Sequence, residues 1–322
     1  MKKILQIPLL LAAMFLTSIH IFAYDFGYDG IYYNITDENA KTVGVTSGES
    51  KYTGSVTIPS SVNYKGANYL VAEIGWSAFD GCTGLTSLTI GNSVKTIQNY
   101  AFAGCTGLTE VSIPNSVVTI GVSAFNGCIG LTSVTIGNSV FTIGGSAFNG
   151  CRNLTSLTIG NSVEEIGGNA FEGCTGLTDV VIPNSVVTIG GSAFKSCRSL
   201  ASVTIGSSVE EIGWSAFDGC TGLTEVTSLN PEPPTCGNYA FEGAYSATLF
   251  VPEDSYNVYA NANEWSKFAA IKGIAGVEGI EIDKNAIEVA RYDIHGRLIS
   301  EPAYGINIIK MSDGTMQKVI VK

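Results

Sequence analysis

The sequence predicts a repeat solenoid, mainly β, with short parallel strands and a period of 23 residues. Three observations carry that reading. Seven segments align without insertion between residues 74 and 234, from "IGWSAFDGCTGLTSLTIGNSVKT" (74–96) to "IGWSAFDGCTGLTEVTSLNPEPP" (212–234). The same apolar positions recur through the array, namely the equivalents of Ile74, Ala78, Phe79, Cys82, Leu85, Leu88, Ile90 and Val94. Within each, a stretch such as "LTSLTI" alternates with a two-residue period among β-branched neighbours, the pattern of a strand with one face buried. A unit this short cannot bury its apolar face alone, so neighbouring units must stack.

The elements of one coil follow in order. "LTSLTI" is the principal strand, and "GNS" or "PNS" turns the chain. "VKTIG" supplies a second short extended piece. "SAFDGC" bends, with Gly81 and its equivalents taking a dihedral that side chains disfavour. Stacked coils then form a parallel sheet with about 4.8 Å between strands. The composition agrees: the 322 residues are 45% hydrophobic and only 14% charged, with 38 glycines. That is too apolar for disorder.

The chain begins "MKKILQIPLLLAAMFLTSIHIFA", two lysines followed by an apolar run that ends at Ala23 before a polar boundary. This is the layout of a secretory signal peptide with cleavage near Ala23. The run is short for a bilayer span and contains Pro8, so no membrane insertion is expected after cleavage. Of 17 basic residues, loss of Lys2 and Lys3 leaves 15 against 28 acidic ones, a net charge of −13. Such a surface argues against nucleic acid and anionic membranes.

Cys82, Cys105, Cys128, Cys151, Cys174, Cys197 and Cys220 share one register, while Cys236 falls outside it. A catalytic thiol needs one special environment with a base nearby. Seven equivalent copies without a histidine do not offer one. Secretion permits disulfides, but seven equivalent sites cannot all pair. The reading is a ladder of buried thiols packed as small apolar groups.

The repeat "IGxSAFxGCxGLTSLTIGNSV" resembles the BspA-like leucine-rich repeat of bacterial surface proteins. The segment 24–73 is similar to that family's N-terminal cap, with "VTIPSSV" (56–62) as a half repeat and "YKGANYLV" (64–71) as an inserted hairpin. Residues 235–273 resemble its partial repeat and C-terminal cap, where Tyr256, Tyr259, Trp265 and Phe268 are expected in a short closing helix. Capping follows from physics as well, because an open solenoid end exposes strand edges and core. The tail 274–322 is similar to the C-terminal sorting domains of secreted proteins of Gram-negative anaerobes, through "YDIHGR" (292–297), "YGINIIK" (304–310) and "KVIVK" (318–322). "HG" (295–296) and "DG" (313–314) sit where its hairpin turns would fall. The resemblance implies a secreted or outer-membrane-exterior location and adhesion to an extracellular or host matrix protein, or to another bacterial surface protein.

Catalysis is not expected. The mature chain keeps one histidine, His295, with no nucleophile signature around it, and a single histidine rules out multi-histidine zinc sites. The glycines recur at turns and form no phosphate loop. Glu164–Glu165 and Glu210–Glu211 read as solvated turn charges, without the spacing of a calcium loop. No metal or cofactor is expected. What remains is surface. In strand register one outward row is Ser87, Glu110, Ser133, Ser156, Asp179, Ser202 and Glu225, and the next is Thr89, Ser112, Thr135, Thr158, Val181, Thr204 and Thr227. These rows form the candidate protein-binding face; β-propensity and solubility would equally select such residues. Outward Trp76, Val118, Phe141, Val187 and Trp214 are candidate apolar anchors elsewhere. The reading is thus a non-enzymatic, protein-binding surface module. A structural component of the cell envelope and a polysaccharide-binding module are the alternatives, the latter disfavoured on the strand rows because they carry no aromatic platform.

Overall fold

In the computed structural model, residues 24–274 are described, together with the strands 288–293, 305–311 and 316–321 and residues 299 and 301. The leader through Ala23, His295 and the turns at 295–296 and 313–314 lie outside the described residues.

Each coil crosses two β layers, as the alternation predicts. The seven coils are numbered here from residues 74–96 (coil 1) to 212–234 (coil 7). One layer holds the principal strands, from Leu85–Ile90 in coil 1 to Glu225–Ser228 in coil 7. The other holds two-residue strands, from Thr96–Ile97 to Thr235–Cys236, parallel and in perfect register: Ile97, Ile120, Ile143, Ile166, Ile189 and Ile212 stand one above the next. Between the layers lies a continuous core. Its spine is a stack of phenylalanines, Phe79, Phe102, Phe125, Phe148, Phe171, Phe194, Phe217 and Phe241, with centroids 4.8–5.3 Å apart and rings within 12° of parallel. That spacing is the strand spacing, so ring stacking and sheet hydrogen bonding reinforce each other.

The cysteines line this spine. All seven in register are buried and free, and Cys236 is half-buried and free. From coil 2 to coil 7 the thiol donates to the phenylalanine carbonyl of the coil before: Cys105 Sγ to Phe79 O at 3.1 Å, Cys174 Sγ to Phe148 O at 3.2 Å. The same carbonyl accepts the backbone N–H of the cysteine in its own coil, as Phe79 O does from Cys82 at 3.0 Å.

The bend takes the positive φ expected at Gly81 (64°) and its equivalents; in coil 6 Ser196 holds it at 60°. A second left-handed position was not legible. It falls at Ser77 and recurs at Tyr100, Ser123, Ser146, Asn169, Ser192, Ser215 and Tyr239.

The principal layer is interrupted twice, before coil 2 and before coil 5; its paired groups are coils 2–4 and coils 5–7 with the C-terminal strands. Coils 2 and 5 carry Pro114 and Pro183 where coils 1, 3, 4 and 6 have glycine. In the equivalent place in coil 7, Leu229 N–H donates to Ile205 O of the previous coil at 2.9 Å. Proline has no such donor. It also carries a Cβ where there is no room for one: a Cβ on Gly160 would sit 2.2 Å from Gly137 O. The principal strands of coils 2 and 5 therefore go unpaired with the coil before, while the short strands stay paired throughout. This corrects one expectation. Leu88 and Leu157, in the coils facing the two gaps, are only half-buried, whereas Val111, Val134, Val180, Val203 and Val226 are buried.

Aromatic residues close both ends. Tyr52 lies 4.5 Å from Phe79, and Trp265 and Phe268 lie 5.0 and 5.2 Å from Phe241. The closing helix is Tyr256–Ala260, followed by a 3-10 turn Trp265–Lys267. Tyr259, Trp265 and Phe268 are buried there, but Tyr256 faces out and takes no part in the closure. Glu264 is buried beside them, held by Lys267 Nζ at 2.6 Å and by the Tyr245 hydroxyl. At the other end the strand Gly54–Ile58 pairs with Leu85–Ile90, and Ser61–Tyr64 with Ala67–Ile74 forms a hairpin whose turn, Lys65–Gly66, has positive φ at both residues. In the tail, Glu288–Asp293, Gly305–Met311 and Met316–Val321 form an antiparallel three-stranded sheet.

Candidate binding face and groove

The two sequence-derived rows stand on the principal strands, where alternate side chains must point away from the core. Ser87, Thr89, Glu110, Ser112, Thr135, Ser156, Thr158, Asp179, Val181 and Glu225 are exposed; Ser133, Ser202, Thr204 and Thr227 are half-buried; none is buried. Parallel pairing aligns them across coils, with Ser133 opposite Glu110 and Ser156, and Ser202 opposite Asp179 and Glu225. None of the three ion pairs found among the described residues touches these rows. Glu110 and Glu225 thus present their charge to solvent, while Asp179 accepts from Thr178 Oγ1 at 2.9 Å.

The gaps before coils 2 and 5 separate Ser87 from Glu110 and Ser156 from Asp179, so the face is three segments rather than one uniform strip. Along coils 1–4 its edge is hollowed into a groove of about 720 Å³. Ser112, Thr135 and Thr158 of the strands and the turn asparagines Asn92, Asn115, Asn138 and Asn161 line it. Ile113, Ile136 and Ile159 contribute to the lining, which carries no charged residue.

The asparagines are the part of the groove that sequence reasoning missed, although "NS" recurs after nearly every principal strand. Asn115 and Asn138 reach across to the next coil: Asn115 Oδ1 accepts Asn138 N–H at 2.7 Å, and Asn138 Oδ1 accepts Asn161 N–H at 3.2 Å. Their carbonyls are thereby used within the solenoid, while the exposed side chains of Asn115 and Asn138 keep their amide N–H groups toward solvent. In the same groove the buried Ser116 hydroxyl has no partner.

The other candidates resolve differently. Trp76, Val118, Phe141 and Trp214 are exposed on the far layer, while Val187 is half-buried. Glu164, Glu165, Glu210 and Glu211 are exposed. Among the described residues no group of three or more His, Cys, Asp or Glu is placed to hold a metal. Burial pushes up the thiols of Cys82, Cys151, Cys174 and Cys236, the last two to about 12, which leaves these four protonated and poor nucleophiles at neutral pH.

A family model for the BspA-type leucine-rich repeat region matches in six copies over residues 49–154, 72–198 and 142–270. The chain belongs to this family. It is similar to the solved leucine-rich repeat protein of T. pallidum, with 28% identity and a TM-score of 0.50 over 66% of this chain and 85% of that one. A leucine-rich repeat protein of Bacteroides ovatus is 27% identical over 78% of this chain and 77% of that one, with a TM-score of 0.43. A leucine-rich cell surface protein of Faecalibacterium prausnitzii is 20% identical over 78% of this chain and 95% of that one, with a TM-score of 0.38. No curated protein matches.

Proposed function

We propose that the protein is a non-enzymatic, secreted or surface-displayed module that binds an extended segment of another protein along its principal-strand face. The observation that carries the reading is the groove of coils 1–4. It offers solvent-facing amide donors and hydroxyls at the regular spacing of the coils, with exposed Glu110 beside it. A main chain laid along it would supply carbonyl acceptors, and basic side chains of the partner would meet Glu110, Asp179 and Glu225. The repeat array gives a long surface rather than a deep pocket, which suits a macromolecule better than a metabolite.

The leader through Ala23 and the tail from residue 274 serve export in this reading, the first as a cleaved signal peptide and the second as a sorting or anchoring module. Matrix proteins or the surface proteins of other bacteria are the partners.

The test is the triple variant Glu110→Lys, Asp179→Lys and Glu225→Lys, assayed on immobilised extracellular-matrix proteins over a salt series. Wild-type binding should weaken as salt rises, and the variant should bind about tenfold or more weakly at low salt. Its thermal unfolding should match wild type, because the three side chains are exposed. Unchanged affinity and unchanged salt dependence would exclude this face.

A further inference from the structure

On the far layer the molecule repeats a small constellation at its two ends. Coil 1 carries "GWSAF" and coil 2 "QNYAF"; coil 7 carries "GWSAF" and the next partial coil "GNYAF". Trp76, Asn99 and Tyr100 thus stand on adjacent coils, joined by the hydrogen bond from Ser77 N to Asn99 O at 3.1 Å. Trp214, Asn238 and Tyr239 repeat them, joined from Ser215 N to Asn238 O at 3.0 Å. Trp76 is 69% exposed, Trp214 61% and Tyr239 60%. In soluble proteins tryptophan is mostly buried, and aromatic residues left in water call for a reason.

Two further features favour a built site. Both tyrosines occupy the left-handed position of the bend, at φ 57° and 64°, where the other coils use serine or asparagine. A bulky residue held there is strained and is best explained by what its side chain does. Trp214 also packs on the coil before, since its indole lies so close over Gly191 that a Cβ there would sit 2.5 Å from Nε1. A platform braced by packing before binding loses less entropy when a ligand arrives.

We propose that these two Trp–Asn–Tyr constellations are subsites for a neutral polysaccharide. The C–H face of a pyranose ring stacks on the indole or phenol ring, and its hydroxyls take hydrogen bonds from the asparagine amide and the tyrosine. Charge selects the neutral ligand. The protein as a whole carries −11, yet none of the residues in these two register positions from Trp76 to Tyr239 is charged. Between the subsites the floor is Val122, Gly145, Gly168 and Gly191 with small polar residues in the next position, low enough for a chain to pass over. Six coils at the strand spacing place the tryptophans about 30 Å apart. One polymer can therefore engage both subsites, and neither subsite alone would hold it as tightly.

The experiment is native affinity electrophoresis of the full chain in gels containing hydroxyethyl cellulose, laminarin, galactomannan or dextran, with heparin as the anionic contrast. At least one neutral polymer should retard the wild type, and heparin should not. Trp76→Ala or Trp214→Ala should each weaken that retardation about tenfold or more, and the double variant should abolish it. Both side chains are exposed, so thermal unfolding should not change and lost binding will not reflect lost folding. Fluorescence gives a second reading: two of the three tryptophans are exposed, and the neutral polymer should shield them from acrylamide while Trp265 stays buried throughout. The strand-face variant of Glu110, Asp179 and Glu225 should be retarded like wild type, which separates this site from the protein-binding face. No retardation by any of the four neutral polymers, retention of binding in the double variant, or preference for heparin would overturn the proposal.

Discussion

At the scale of the residue, cysteine serves this fold by being small, apolar and still a donor. Its thiol fits against the phenylalanine stack and fills the second lone pair of a carbonyl that the backbone leaves half-used. Cys151→Ala removes the donor to Phe125 O and leaves a small void, which should cost about 1–2 kcal/mol. Native protein should react slowly with a thiol reagent, Cys236 first, and all eight cysteines should react after denaturation; intact disulfides in the unfolded sample would refute the ladder. Alkaline pH is the other probe. Cys174 is raised by burial from 9.0 to about 12, so the folded state holds its proton more tightly than the unfolded one. The stability this contributes is complete below the unfolded value and is lost as pH rises through the folded one. Buried Tyr52 and Tyr259, both pushed up to about 12 chiefly by burial, act in the same direction. Denaturant midpoints should therefore fall between about pH 9 and pH 12 and stay level from pH 7 to pH 8.5.

At the scale of the element, glycine and proline decide how adjacent coils pair. Gly160→Ala forces a Cβ into the backbone of coil 3, and such overpacking typically costs about 1–3 kcal/mol. Pro183→Gly works in the opposite sense: it restores an N–H that can reach Ile159 O and removes the ring beside the unpaired principal strand of coil 5. Hydrogen exchange should then slow in the strand Asp179–Val181, and Leu157 should become better protected. An unchanged exchange pattern would show that proline does not cause the gap. These elements also mark the limit of what the sequence discloses. Alternation in "LTSLTI" and recurrence of Phe79 and Cys82 reveal strands, core and coil order, because burial repeats with the period. The gaps were not legible, since they depend on the pairing between neighbouring coils rather than on any one coil's pattern. The same is true of the asparagines of the groove. "NS" looks like turn chemistry alone until stacking shows its carbonyl reaching the next coil. The candidate rows were legible as outward positions, but their hollowing into a groove came from turns the alternation does not describe.

At the scale of the whole molecule, each coil meets only its neighbours, and stability is close to a sum of coil and interface terms. Length should then be adjustable in whole periods and in no other unit. Deleting residues 143–165 removes coil 4 entirely and joins Thr142 to Ile166, two residues that already occupy consecutive positions of the short strands. Phe125 can then stack on Phe171, the buried rows stay aligned, and both caps survive. This variant should fold cooperatively with a modestly lower melting temperature, because one interface is lost. Deleting only residues 154–165 removes about half as much chain and should do more damage. It leaves Phe148 and Cys151 in a coil with no principal strand, so the polypeptide must cross the core to regain its register. Circular dichroism melts of the two variants compare these outcomes directly, and greater stability of the shorter deletion would contradict a nearest-neighbour solenoid. The whole-coil deletion also reaches function. It brings Trp76 and Trp214 from six coils apart to five, about 5 Å closer, without touching either side chain. A polymer bridging both subsites should change its affinity, while binding carried by either constellation alone would not.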